Sequence, residues 1–181
     1  MTRIPYPTDA ELDEESRATL AALPPLNVVR MFAGSPSTLG PLTDLGQAIL
    51  LRSELDPRLR EIAILAVARE TGSDYERVQH EALSRALGMT SGDIEAASGG
   101  DFDSLGDNGA LVARFAASVA RDVAADPKLT EGVVELLGRR QATELVVCCA
   151  YYSAVARIIA TCGVELEERP ATEDIDPEDW K

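Results

Sequence analysis

The sequence predicts an all-α protein. Aromatic residues make up only 4% of the 181 residues, which disfavours a β-sandwich, because such folds need many aromatic and β-branched side chains. Helix-capping patterns recur at short intervals, whereas the period-two alternation of a half-buried strand is nearly absent. With 45% hydrophobic and 27% charged residues, the chain is large enough to bury a core as one compact domain.

Helix starts in the N-terminal half carry capping signals. Thr8 with Glu11 is a capping-box pattern, and Asp56 followed by Pro57 is an N-cap with proline at the first helical position. Pro41 is expected to start a helix in the same way. The predicted helices run from Thr8 to about Leu23, from Asn27 as the cap to Phe32, from Pro41 through Leu51, and from Leu59 to Thr71.

The C-terminal half repeats these signals, and glycines end several of its helices. Ser73 with Glu76 is a second capping box, and Thr90 pairs with Asp93 in the same manner. The predicted helices run from Ser73 to Leu87, from Thr90 to about Ala97, from Ala110 to Ala125, from Thr130 to Leu137 and from Gln141 to Thr161, with a loop from Ser98 to Gly109. The last helix is apolar on so many sides that part of it is expected to form a subunit interface.

The net charge of −14 bears on possible partners. It would repel a phosphate backbone or an anionic membrane, so we expect neither nucleic acid nor a membrane as a partner. Eight acidic residues stand against two basic ones from residue 165 to the end, with two prolines interrupting. This segment is predicted to be a mostly extended, solvated acidic tail that Trp180 could pin.

Neither a secretory signal nor a membrane span is expected. The first residues lack a basic region followed by an apolar run, and no stretch approaches the roughly 18 uninterrupted apolar residues that a span needs. A cytoplasmic location is therefore predicted. Cys148, Cys149 and Cys162 lie in one apolar stretch whose helical geometry disfavours a disulfide, so they are expected to be buried, reduced thiols.

His80 is the single histidine, and it marks the best candidate for proton transfer near neutral pH. It follows an apolar helix that carries Glu61, where an idle carboxylate would be costly. Glu76 lies four residues before His80, so both side chains share one helix face. A helix histidine that bonds a backbone carbonyl is the alternative reading of His80.

The stretch from Leu59 to Ala68, followed by Ser73, Tyr75, Glu76 and His80, resembles the core of the superfamily of carboxymuconolactone decarboxylase and alkylhydroperoxidase D. The resemblance covers roughly residues 26–164. It implies an alkylhydroperoxidase D-like helical domain that assembles as a homo-oligomer, a trimer or hexamer, with a small-molecule pocket between helices. We thus expect an N-terminal helical arm over 1–25, this domain over 26–164 and the acidic tail over 165–181.

One departure from the family pattern affects the expected chemistry. In the peroxidase branch a Cys-x-x-Cys pair precedes the histidine, whereas Ser73 and Glu76 occupy those positions here. Neither a hydroxyl nor a carboxylate can replace a thiolate that peroxide oxidises, so an alkylhydroperoxidase or peroxiredoxin-like activity is disfavoured. The resemblance then implies the branch that lacks the cysteine pair and needs no cofactor.

The candidate catalytic residues are His80, Glu61 and Glu76. His80 would act as general acid or base, and Glu61 would orient it and hold its tautomer. Glu76 could assist His80, although its place in a capping box explains it without chemistry. Tyr75, Arg30 and Tyr151 are candidate substrate-binding residues, Arg30 either for a substrate carboxylate or for an intersubunit salt bridge. One histidine with dispersed carboxylates predicts no metal site.

The leading hypothesis is a cofactor-independent lyase or isomerase that acts on a small carbonyl, enol or lactone carboxylate. The alternatives are a non-catalytic oligomeric binding protein that keeps the helical core and a weak thiol peroxidase that uses Cys148 or Cys149. No cofactor is expected, because no Gly-rich phosphate-binding loop occurs. The expected partners are a small-molecule substrate and further copies of the chain.

Overall fold

The computed structural model describes residues 2–122 and 124–168, and the predicted all-α class is confirmed: these residues form helices and no strand. The pin by Trp180 lies outside them. Eight α-helices are present: α1 (Glu14–Ala21), α2 (Asn27–Phe32), α3 (Pro36–Gln47), α4 (Pro57–Thr71), α5 (Asp74–Ala86), α6 (Ser91–Gly99), α7 (Gly106–Arg121) and α8 (Pro127–Cys162).

Helix α4 is the centre of the bundle and packs against α5, α6, α7 and α8. Every residue from Arg60 to Ala68 is buried, which agrees with the all-round apolar character of this segment. Asp56 caps the helix as predicted, because its carboxylate accepts a hydrogen bond from the Leu59 N–H at 3.0 Å. The main hydrophobic core therefore forms around α4.

A second, smaller hydrophobic cluster covers one side of the bundle. It joins buried residues of the N-terminal helices to the C-terminal part of α8 and to Tyr75 of α5. Its buried members are Leu12, Val28, Val29, Phe32, Ala33, Leu39, Tyr75, Val155 and Ile159. The N-terminal helices thus form a layer on the bundle.

Helix α1 begins later than the sequence predicted. The Glu11 carboxylate does accept hydrogen bonds from the backbone and the hydroxyl of Thr8, each at 2.8 Å. These contacts close only a turn, and α1 starts at Glu14, where Asp13 accepts a hydrogen bond from the Ser16 N–H at 2.7 Å. Asp13 is therefore the cap, and the capping box at Thr8 was the wrong start.

Two other predicted helix starts were also wrong. Asn27 is the first residue of α2 rather than its cap, because its side-chain amide donates to the Glu165 carbonyl at 2.9 Å. Helix α3 begins at Pro36, and Pro41 lies inside it. The carbonyl that Pro41 leaves without a helical partner belongs to Ser37, which is exposed, so water can bind it.

Three irregular segments connect or bend the helices. A π-helical turn (Ala48–Arg52) continues α3, and a 3₁₀ turn (Phe102–Leu105) lies within the predicted loop from Ser98 to Gly109. That loop is shorter than predicted, since α7 already begins at Gly106. Within α8, Gly138 has φ 71° and ψ 167°, so the backbone bends there, where the sequence predicted a break.

Helix α8 is the one described helix that is long and apolar enough to cross a membrane, with an 18-residue window of mean hydropathy 1.8. Our sequence criterion of uninterrupted apolar residues had excluded such a segment. In the structure 44% of that window is buried inside the protein, where Leu145, Cys148 and Cys149 belong to the main core. A core helix of a soluble protein meets the same test of length and composition.

Candidate functional site

A cavity of about 150 Å³ lies where the two hydrophobic clusters meet. Its wall is mainly apolar, and its polar groups come from α3, α5 and α8. Glu76, Gln79 and His80 of α5 line it together with Tyr151 and Tyr152 of α8. A cavity with a mainly apolar wall and a small number of polar groups is typical of small-molecule binding sites. A larger, more open groove of about 620 Å³ beside Arg139 and Arg140 contains none of the predicted site residues.

A tight turn between α4 and α5 brings Glu61 to His80. Gly72 has φ 67°, a left-handed conformation that ends α4, and Ser73 then caps α5. The chain folds back, so that residues at similar distances from the turn become neighbours. Glu61 Oε2 lies 2.8 Å from His80 Nδ1, and both residues are buried.

A second charged group holds the other oxygen of the Glu61 carboxylate. Arg60 Nε donates to Glu61 Oε1 at 3.1 Å, and Arg60 Nη1 donates to the Leu50 carbonyl in the π-helical turn at 2.8 Å. Arg60 is 2% exposed and Glu61 is 0% exposed. Burial alone would raise the pKa of Glu61, but His80 and Arg60 together outweigh it and lower that pKa. Glu61 is therefore an ionised acceptor.

This arrangement fixes the role of each imidazole nitrogen. An ionised carboxylate can only accept, so Nδ1 carries the hydrogen and donates to Glu61. Among the residues that the structure describes, none forms a hydrogen bond with Nε2. The ring also contacts Tyr152 edge-on, with centroids 4.8 Å apart. His80 thus lines the cavity, and no described residue occupies its Nε2 atom.

Glu76 is a buried acid without hydrogen-bond partners for its carboxyl group. The capping box forms only in half: the Ser73 hydroxyl accepts from the Glu76 N–H at 3.4 Å, whereas the Ser73 N–H donates to the Ala68 carbonyl at 2.9 Å. Both carboxyl oxygens of Glu76 are buried without a partner among the described residues. Burial raises the pKa of Glu76 to about 8, so this group is neutral at pH 7.

Tyr75 lines the cavity with its ring, but its hydroxyl is engaged elsewhere. The hydroxyl accepts from the Val28 N–H at 3.3 Å and donates to Glu167 Oε1 at 2.6 Å. Gln79 Nε2 donates to the other oxygen of Glu167 at 2.5 Å. The start of the predicted solvated tail is therefore bound to the rim of the cavity, which corrects that expectation for Glu167.

Tyr151 and Arg30 differ in their relation to the cavity. Tyr151 lines it, with its hydroxyl donating to the Leu42 carbonyl at 3.0 Å, and burial together with the nearby Glu76 raises the pKa of Tyr151 to about 12. Arg30 does not line the cavity. Its guanidinium binds the Pro7 carbonyl and Asp9, at 2.5 and 2.7 Å from Nη2, and so holds the N-terminal segment within the same chain.

Comparison with known families matches residues 36–122 to the model of the carboxymuconolactone decarboxylase family. This segment contains Glu61, Ser73, Glu76 and His80. Over this segment the chain is similar to that family. The match is narrower than the resemblance over 26–164, since it ends before α8. No curated protein matches the chain.

Cys148 and Cys149 are not placed for thiol chemistry. Cys148 and Cys149 are 1% and 0% exposed, and neither forms a disulfide. Burial raises the pKa of Cys149 to about 12 and that of Cys148 well above its usual value. The thiolate is the reactive form, so these positions disfavour the thiol peroxidase alternative. Among the described residues, no group of three or more His, Cys, Asp or Glu could hold a metal ion.

Sequence reasoning missed three residues at or behind the cavity. Arg60 had a detectable signal, because a second charged residue beside Glu61 in an apolar helix suggests a buried pair. Gln79 lies one position before His80 and had no distinctive pattern. Glu167 could not be separated from the other acidic residues near the C-terminus, since only the fold brings it to α5.

Proposed function

We propose that this protein is a carboxymuconolactone decarboxylase-like, cofactor-independent lyase or isomerase that moves a proton at the carbon next to a carbonyl group. The observation that carries the proposal is the 2.8 Å contact between Glu61 and His80 Nδ1, with His80 at the wall of the cavity. A base needs an orienting group that fixes its tautomer, and buried Glu61 can serve as one.

In the proposed first step, His80 Nε2 accepts a proton from the carbon next to the substrate carbonyl. The imidazole becomes a cation, which the ionised Glu61 stabilises across the Nδ1–H bond. Arg60 binds the far oxygen of Glu61 and keeps the carboxylate oriented toward the ring. Such a positioned base contributes typically about 10²–10⁴ in rate.

Glu76 is the proposed acid on the substrate's oxygen. As the electrons of the C–H bond move toward the carbonyl oxygen, a neutral carboxylic acid can donate a hydrogen bond or a proton there. Glu76 is neutral at pH 7 because burial raises its pKa to about 8, and no described residue occupies its oxygens. In an isomerisation the imidazolium then gives its proton to another carbon of the enol, and Glu76 takes its own proton back as the carbonyl re-forms. In a decarboxylation the electrons of the C–COO⁻ bond, rather than those of a C–H bond, move toward the carbonyl oxygen and carbon dioxide leaves; the enol carbon then takes a proton that His80 has drawn from solvent, and Glu76 again recovers its own.

The cavity supports a small and largely apolar substrate. A dry, apolar cavity of about 150 Å³ can hold a molecule the size of benzene. The wall includes Phe32, Leu50 and Leu83, which favour the carbon skeleton over a hydrated sugar or nucleotide. The proposed substrates are therefore small enol, lactone or oxo acids.

Replacement of His80 by Gln tests this function. We expect His80→Gln to lose at least about 100-fold of the rate, because general-base catalysis is worth about 10²–10⁴. The measurement is solvent deuterium exchange next to the carbonyl of small oxo acids and enol lactones, followed by proton NMR. Glu81→Gln, on the outer side of the same helix, is the control and should exchange at the wild-type rate.

The single histidine also allows a measurement without substrate. Nitrogen NMR should show that the neutral form of His80 carries its hydrogen on Nδ1 and none on Nε2. Glu61→Gln should weaken that preference, because a neutral amide no longer requires a donor. Wild-type exchange in His80→Gln, with the circular dichroism spectrum unchanged, would contradict the proposed chemistry and leave a binding protein as the better description.

A further inference from the structure

The carboxylate of Glu167 is held by a set of donors at the rim of the cavity. Tyr75 Oη donates to Oε1 at 2.6 Å, the Asn27 N–H donates to the same oxygen at 2.6 Å, and Gln79 Nε2 donates to Oε2 at 2.5 Å. We call these three groups the rim donors. They come from two helices, α2 and α5, far from Glu167 in the chain.

The rim donors are built into the fold rather than being mobile surface groups. Tyr75 and Gln79 are each 5% exposed, and both also line the cavity. The Tyr75 hydroxyl is fixed further by the hydrogen bond from the Val28 N–H. Two buried side chains thus direct their donors at one carboxylate while their other surfaces face the proposed substrate.

Glu167 itself is weakly anchored by its neighbours in the chain. Leu166 is 45% exposed and Glu168 is exposed, so the rest of the protein covers the two residues beside Glu167 only in part. The backbone is held one residue earlier, at Glu165. The Glu165 N–H donates to Tyr6 Oη at 3.2 Å, and the Glu165 carbonyl accepts from Asn27 Nδ2 at 2.9 Å. Glu167 can therefore leave the rim donors by a movement of the chain after residue 165.

We propose that the rim donors are the binding subsite for a substrate carboxylate and that Glu167 occupies it in the free protein. This proposal rests on the proposed function, because it assigns that function's substrate to carboxylic acids. A small acid would place its carbon skeleton in the cavity near His80 and its carboxylate on the rim donors, and Glu167 would be displaced. Glu167 then acts as a built-in competitor that lowers the apparent affinity of the ligand.

Benzoate is a suitable probe, because its ring matches a cavity of about 150 Å³ and it carries one carboxylate. Calorimetric titration of the full chain should show that Glu167→Ala binds benzoate about tenfold more tightly than wild type, since the competitor is gone. Glu168→Ala removes the same charge from an exposed neighbour and should bind like wild type. Benzamide, the uncharged analogue, should bind Glu167→Ala at least about tenfold more weakly than benzoate.

A second variant tests the donors directly. Tyr75→Phe in the Glu167→Ala background removes one donor and should narrow the difference between benzoate and benzamide, because that hydroxyl no longer distinguishes a charged acceptor. In wild type, saturating benzoate should also speed amide hydrogen exchange at residues 166–168. Circular dichroism should show that each variant keeps its helices.

Several results would overturn the subsite. These are equal benzoate affinities in Glu167→Ala and wild type, benzamide binding as tightly as benzoate, or no binding of either probe to any variant. The outcome is independent of turnover. Benzoate binds without reacting, so a failure of the proton-transfer chemistry in the deuterium-exchange assay would leave this result intact.

Discussion

At the scale of single residues, the unpartnered carboxyl group of Glu76 is the most informative feature of the site. Burying a polar group without a hydrogen bond costs stability. The same helix position could hold an apolar residue without that cost. A neutral acid beside an imidazole whose tautomer is fixed by Glu61 forms an acid and a base in one cavity, which is what proton movement at a carbonyl compound requires.

The raised pKa of Glu76 predicts how stability depends on pH. The group has a pKa of about 8 in the folded protein against an ordinary value of 4.5, so the folded state binds more protons between these pH values. The free energy of unfolding therefore falls as pH rises from about 4.5 to 8, and Glu76 accounts for a loss on the order of a few kcal/mol.

Glu76→Gln should remove this dependence, because an amide does not ionise. Urea unfolding at pH 5 and pH 8 should show that wild type loses more stability than Glu76→Gln between the two values. Glu81→Gln, which lies outside the cavity on the same helix, should keep the wild-type slope. Parallel slopes for wild type and Glu76→Gln would mean that Glu76 is not buried as an acid.

Some site residues could be predicted from the sequence because a charged side chain in an apolar helix costs stability and therefore stands out. Glu61 lies in an apolar helix and His80 follows a turn signal, so their meeting could be anticipated from a helix hairpin. Glu76 remained ambiguous, because the Ser73 pattern fits a capping box equally well, and only the Ser73 N–H bond to Ala68 decides against it. Glu167 depends on a contact across 88 residues from Gln79, and no local pattern encodes such a contact.

At the scale of helices, the packing of α3 on α8 shapes the cavity wall. Gly46 of α3 lies against Tyr151 of α8, and a Cβ atom built on Gly46 would stand 2.7 Å from the Tyr151 hydroxyl. That hydroxyl is held by the Leu42 carbonyl, one turn earlier on α3. Glycine at position 46 therefore lets the tyrosine ring reach the cavity.

Gly46→Ala should displace Tyr151 and destabilise the protein, because overpacking usually costs about 1–3 kcal/mol. The higher helix propensity of alanine offsets part of this cost. Gly99→Ala, on α6, is the control, because a Cβ on this exposed glycine meets nothing within 4 Å and no proline follows it. It should stabilise the protein by up to about 1 kcal/mol. Thermal unfolding of both variants checks the pair, and two shifts of the same sign would contradict the packing argument.

Helix starts were predictable where a capping residue is followed directly by a proline, because proline fits the first helical position. Asp56 with Pro57 is such a case, and its hydrogen bond forms as expected. Thr8 and Pro41 misled because turns and helix interiors tolerate the same residues: Thr8 and Glu11 satisfy each other in a turn, and the carbonyl freed by Pro41 faces solvent. Propensity ranks these alternatives weakly, and tertiary packing decides between them.

At the scale of the whole molecule, several large apolar residues are exposed on α3, on the π-helical turn and on α8. Leu45 and Leu51 are 40% and 42% exposed, and Val146 and Val147 of α8 are 43% and 39% exposed. Leu45 and Val147 border the open groove beside Arg139 and Arg140. Such exposed apolar residues favour contact with another protein surface, so self-association as a trimer or hexamer stays our prediction.

Val147→Arg should shift the protein toward smaller species in sedimentation velocity, because a charge at a buried contact is costly. Val134→Arg places the same change on another exposed valine of α8, before the bend at Gly138, and should leave the assembly unchanged. A monomeric wild type, or equal sedimentation of both variants, would show that the surface around Val147 is not the contact surface.

The all-α class could be predicted for the whole chain because composition and capping patterns act everywhere along it. The relative position of the two hydrophobic clusters could not be predicted, since it depends on how the N-terminal layer packs against α8. That junction forms the cavity, so its volume and the identity of its wall emerge only in three dimensions.

The π-helical turn at Ala48–Arg52 links the number of residues in this segment to the environment of the proposed base, His80. This wide turn holds one residue more than an α-helical path would, and the Leu50 carbonyl in it binds Arg60, which in turn binds Glu61. Loss of a single residue there would restore ordinary helical winding and rotate that carbonyl away from the guanidinium. A deletion in this stretch would therefore change the acid–base behaviour of the Glu61–His80 pair without replacing either residue.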